Sequence, residues 1–132
     1  WLFAPKPLDP FQITYPPVLS PAQMHIHSTL NIFANGQQVQ IPVDVGIAGY
    51  PAHKTLHIQE ADNKVHVESD DTRAYTLGNF FQVWRKPFNS TCVLDYCSDG
   101  VKKITMKVNS LQSQEFDKHV LHDEEIIEVR FE

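Results

Sequence analysis

The chain has 132 residues, of which 42% are hydrophobic, 11% aromatic and 20% charged, a profile that fits one folded domain with a real core and excludes a disordered polymer. Its net charge is −5, from 11 basic and 16 acidic residues. The basic residues are scattered, with Arg85-Lys86 and Lys102-Lys103 the densest pairs. Such a surface repels phosphate backbones and anionic headgroups, so nucleic acid is not an expected partner.

Trp1 stands where an initiator Met would, which leaves room for a signal or membrane anchor ahead of it. Six of the nine prolines (Pro5, Pro7, Pro10, Pro16, Pro17 and Pro21) fall among Trp1, Phe3, Phe11 and Tyr15. Proline removes backbone donors and favours extended conformation, so residues 1–23 are expected to form a tether or a strap over the domain. Residues 24–132 are expected to form a single β-rich α+β domain. No apolar run reaches the roughly 18 residues that a membrane span requires, so no transmembrane segment is expected in this chain.

From Met24 the pattern alternates. Ile26, Leu30 and Ile32 take one face of a strand, and His25, His27, Thr29 and Asn31 take the other. Asn35-Gly36 then predicts a type I′ hairpin, because both turn positions need positive φ. A two-residue loop there sets Ile32 opposite Val39 and Leu30 opposite Ile41, which keeps the aliphatic faces together. The same register sets Thr29 opposite Pro42 and His27 opposite Asp44.

Gly46 to Pro51 reads as a loop. The stretch from His53 to Ser69 then predicts two strands around the polar turn Glu60 to Asn63, with Leu56 and Ile58 in one and Val65 and Val67 in the other. Two registers keep these aliphatics on one face. One sets His57 directly opposite His66, and the other sets Gln59 there.

The segment from Thr76 to Trp84 predicts the one helix. Thr76 can cap it, Leu77, Phe80, Phe81 and Trp84 recur as an apolar stripe, and Lys86-Pro87 ends it. Cys92 and Cys97 lie in the loop that follows, at a spacing that permits a disulfide and does not match a redox Cys-x-x-Cys. Ile104, Met106 and Val108 alternate in another strand. Ile127, Val129 and Phe131 alternate in the last, behind the charged turn His122 to Glu125. The order predicts an α+β fold, mainly β, with a mixed or antiparallel sheet, one packed helix and a β-grasp-like arrangement. A β-sandwich of cupredoxin-like connectivity is the alternative.

His25, His27, His57 and His66 are the candidate metal ligands, for copper or zinc, because imidazoles converging from adjacent strands suit either ion. Asp44, Gln59 and Glu68 are candidates for the groups that would support them. His119, His122, Asp123, Glu124 and Glu125 resemble a small acid and base cluster, but a charged turn before a terminal strand is ordinarily solvated and is read so here. No phosphate loop, nucleophile elbow or paired-carboxylate arrangement stands out, so an enzyme is not expected.

His25-Ile26-His27, Asn35-Gly36, Leu56-His57-Ile58-Gln59, His66-Val67-Glu68-Ser69, Thr76-Leu77-Gly78 through Trp84, Cys92 with Tyr96-Cys97, and Val108-Asn109 follow one another along residues 24 to 131. In this the chain resembles a poorly characterised family of secreted or membrane-anchored bacterial and archaeal domains. Gln59 stands where that family's pattern has a second histidine, and Ser110 where it has glycine. An amide binds transition metals less well than imidazole. The resemblance implies an extracytoplasmic place, periplasmic or secreted. The leading expectation is a non-enzymatic binding or assembly module of an envelope-associated system with a protein partner. A copper or zinc binding protein is the alternative.

Overall fold

The computed structural model describes residues 13–14, 24–47, 53–69 and 73–132. In chain order the strands are β1 (Ile13–Thr14), β2 (Met24–Ala34), β3 (Gln37–Val39), β4 (His53–Lys54), β5 (Leu56–His57) and β6 (Lys64–Ser69). Helix α1 (Leu77–Trp84) follows, then β7 (Cys92–Val93), β8 (Tyr96–Cys97), β9 (Ile104–Val108) and β10 (Leu111–Ser113). A single 3-10 turn at Phe116–Lys118 leads to β11 (Ile126–Phe131). The expected strap falls outside the described residues except at Ile13 and Thr14, which pair antiparallel with Lys54 and His53.

The principal sheet has seven strands, in the order β10, β9, β11, β2, β6, β5, with β3 also paired to β2. β2 runs parallel to β11 and antiparallel to β6, and β11 runs antiparallel to β9. First and last long strands side by side and parallel at the centre, with the helix in the crossover, is the β-grasp arrangement; β5 is an added edge. Among the described residues one principal sheet with one helix carries the core, so the sandwich alternative is not realised there.

Alternation decides which residues enter that core. Leu30 and Ile32 of β2, Val65 and Val67 of β6, and Ile127 and Val129 of β11 are all fully buried. Leu77, Phe80 and Phe81 of α1 pack on them, with Met106 and Tyr75. Each such side chain contributes roughly 1.5–3 kcal/mol relative to exposure. The Thr76 hydroxyl accepts from the Asn79 backbone N–H while the Asn79 side chain accepts from the Thr76 N–H, closing both ends of a capping box. The stop is sharper than the sequence implies: Arg85 takes a left-handed conformation at φ 63° before Pro87 is reached.

The hairpin at Asn35-Gly36 forms with φ of 54° and 82°, and Ile32 faces Val39 as expected. Beyond Val39 the expected pairing fails. β3 stops there, and the first half of β2 pairs with β6, so Leu30, Thr29 and His27 do not face Ile41, Pro42 and Asp44. Pro42 has no ladder donor to offer, and the chain turns at residues 43–46 instead. The cysteines, expected in a loop, lie in a short hairpin where Cys92 faces Cys97 with their sulfurs at bonding distance. Among the described residues no helix is long and apolar enough to cross a membrane.

Candidate metal centre

The face of the sheet away from α1 carries the histidines. β6 lies between β2 and β5, and its register sets His66 opposite His27 on one side and opposite His57 on the other. Three imidazoles therefore stand in one row across three strands. His25 stands opposite Glu68 in the next row. The ring centroids of His27 and His66 are 4.4 Å apart, those of His57 and His66 5.2 Å, and those of His25 and His27 4.9 Å.

Two donor sets overlap. Ligand atoms of His25, His27 and His66 lie within 4.8 Å of one another, and so do those of His57, His66 and Glu68. Glu68 Oε1 is 3.4 Å from His25 Nε2 and 3.5 Å from His57 Nε2. Two ligands about 2.0–2.1 Å from a tetrahedral ion stand about 3.4 Å apart, so these separations suit a shared cation.

The surroundings of the rings suit it too. His57 is fully buried although it points away from the main core, and the turn at residues 43–46 packs against the backbone of β5 beside it. Gly46 makes that approach feasible: at its φ of +75° a Cβ would come within 2.3 Å of the Leu56 carbonyl oxygen and 2.9 Å of His57 Cα. Lys54 N–H donates to the Gly46 carbonyl at 2.7 Å and Ile58 N–H to the Val45 carbonyl at 2.9 Å, holding the turn in place. His57 Nδ1 lies 2.9 Å from the Lys54 carbonyl oxygen. A carbonyl only accepts, so Nδ1 carries a hydrogen and Nε2 is the ring nitrogen that stands beside Glu68. Orientation of an imidazole through its far nitrogen is how metal-binding histidines are commonly set.

His66 is the centre of the arrangement. Both its ring nitrogens are buried and lack a hydrogen-bond partner. Burial, then the neighbouring His57 and His27, push its pKa down from 6.5 to about 4. It is therefore a neutral imidazole at pH 7, the form a metal ligand requires.

Of the residues singled out from the sequence, His25, His27, His57, His66 and Glu68 come together. Asp44 and Gln59 do not. Both are exposed, and they line a separate pocket with Val43, Ile47 and Glu60. Asp44 is displaced because β3 ends at Val39; Gln59 is displaced because His57, not Gln59, faces His66. In the turn before β11, His122, Asp123 and Glu124 are exposed as expected, and two residues depart from that reading. Glu125 and His119 are buried, at 4% and 5% exposure, and Asp123 accepts from the His27 backbone N–H at 2.9 Å. One signal was present: Ser28 interrupts the apolar face of β2 between Ile26 and Leu30, which marks a buried polar partner elsewhere.

No family model matches the chain, and no curated protein or solved structure matches it.

Proposed function

We propose that the domain binds a transition metal ion, copper or zinc, through the histidine row, and that it does so outside the cytoplasm. The observation that carries this reading is the register that stacks His27, His66 and His57 across β2, β6 and β5 beside His25 and Glu68. A histidine on the outer face of a strand is ordinarily solvated or hydrogen-bonded. Here the central ring is neutral, has two buried nitrogens without partners, and is surrounded by further imidazoles. An ion would supply the missing partner. Imidazoles with one carboxylate suit zinc or copper rather than calcium or magnesium, which take oxygen ligands. The bonded Cys92–Cys97 pair supports an oxidising compartment.

The activity is binding rather than catalysis. Titration of the tag-free protein with copper and zinc under native conditions tests it. Tight stoichiometric binding that His57→Ala abolishes is the expected result, and absence of binding to either ion overturns the reading.

A second reading, an assembly module with a protein partner, rests on the exposed apolar side chains Val101, Leu111 and Ile126. Pull-down by the metal-free protein that Leu111→Asp removes would favour it.

A further inference from the structure

A second buried polar cluster joins three segments. Ser28 sits on the core face of β2, Glu125 immediately precedes β11, and His119 follows the 3-10 turn; their exposures are 0%, 4% and 5%. The Glu125 carboxylate is held at both oxygens. Oε1 lies 2.8 Å from His119 Nε2. Oε2 accepts from the His122 backbone N–H at 2.6 Å and lies 3.0 Å from the Ser28 hydroxyl.

A carboxylate only accepts, so His119 Nε2 carries a hydrogen, which leaves Nδ1 as the ring's remaining ligand atom. That nitrogen is buried and has no hydrogen-bond partner. Glu115 Oε1 stands 3.6 Å from it, beyond hydrogen-bond reach. His119 and Glu115 both line a shallow surface groove of about 510 Å³, together with Leu111, Gln112 and Ser113.

We propose that His119 Nδ1 and Glu115 bind a divalent ion of the zinc type in this groove, with Glu125 as the positioning carboxylate. In the Nε2–H tautomer, Nδ1 sets a lone pair against Glu115 Oε1 across 3.6 Å, and a cation between the two atoms turns that repulsion into attraction. The separation is close to the roughly 3.4 Å edge of a tetrahedral zinc shell. A buried carboxylate that orients the far nitrogen of the ligating histidine is the recurrent supporting arrangement. His122 belongs to the same neighbourhood, with Nδ1 4.0 Å from Glu125 Oε1. Glu125 already accepts at both oxygens, which suits it to orienting His119 rather than to holding an ion with His122. No residue is shared with the histidine row, so the two readings stand or fall separately.

The test is a titration of the isotope-labelled protein with zinc chloride at pH 7.5, following the ring nitrogens of His119 by long-range proton–nitrogen spectra. His119 reports on its own site, whatever occupies the histidine row. Before zinc, the ring is expected as the Nε2–H tautomer. Zinc is then expected to shift Nδ1 saturably, with Glu115→Gln weakening the response at least tenfold and Glu125→Gln by 10- to 100-fold. Glu115 is exposed, so Glu115→Gln keeps the fold and decides the matter even where Glu125→Gln does not fold. A doubly protonated His119 clamped between two carboxylates, no zinc response, or an unchanged response in Glu115→Gln would each overturn the proposal.

Discussion

His27 on β2 and His66 on β6 face each other directly, with ring centroids 4.4 Å apart and planes at 84°. Directly opposed side chains of an antiparallel pair are close neighbours in any sheet. What distinguishes this pair is the third ring: His57 continues the row on β5 and stacks on His66 at 13°. The arrangement withholds hydrogen-bond partners from the nitrogens of His66. Leaving such groups buried costs on the order of 1–3 kcal/mol each in the metal-free protein. A bound ion would remove part of that cost.

His66 belongs to both donor sets, and His25 to one. His66→Ala is therefore expected to lower copper or zinc affinity at least 100-fold. His25→Ala, which removes a half-exposed ring, is expected to lower it about tenfold. Isothermal titration calorimetry on the two variants checks the order; equal effects would place the ion elsewhere.

The metal-free protein should lose stability as pH falls from about 6.5 to 4. The folded-state pKa of His66 is about 4, below its ordinary value of 6.5. Between those values the unfolded chain binds a proton that the folded chain does not, so stability rises with pH across the window and levels off above it. At about 1.4 kcal/mol for each pH unit, the contribution is at most about 3.5 kcal/mol. Denaturant midpoints at pH 4.5 and 7.5 measure it, and His66→Ala should flatten the dependence.

Gly46→Ala is expected to destabilise the domain by roughly 2–4 kcal/mol. The added Cβ meets backbone at 2.3 Å and His57 at 2.9 Å, at a φ of +75° that L-residues seldom adopt. Because the added Cβ presses on the Cα and Cβ of His57, the same variant should weaken metal binding, which separates it from Gly36→Ala at a turn with open space around it.

Reduction of the Cys92–Cys97 bond, or its replacement by serines, is expected to cost about 2 kcal/mol, the entropy of so short a loop. The hairpin meets the core through Val93, which is fully buried and bridges to Phe88. A lower melting temperature with an unchanged far-ultraviolet spectrum is the expected reading.

Local pattern made much of this legible. Asn35-Gly36 specified its turn, the stripe from Leu77 to Trp84 specified the helix, and the alternation around His57 and His66 admitted a register in which they face each other. The long-range pairing was not legible. That His27 meets His66 rather than Asp44 depends on β2 exchanging partners halfway along its length; Pro42 marks where the first pairing must end, but nothing local names the strand that takes over. The burial of Glu125 and His119 was hidden for the same reason. Their turn reads as charged and solvated until Ser28, more than 90 positions away, is placed against it.

The most direct measurement is X-ray absorption at the metal edge of the copper- or zinc-loaded protein after desalting. The account predicts retained metal with nitrogen neighbours near 2.0 Å and outer-shell scattering from at least two imidazole rings, lost in His66→Ala. An oxygen-only shell, or no metal retained by the folded protein, would contradict it.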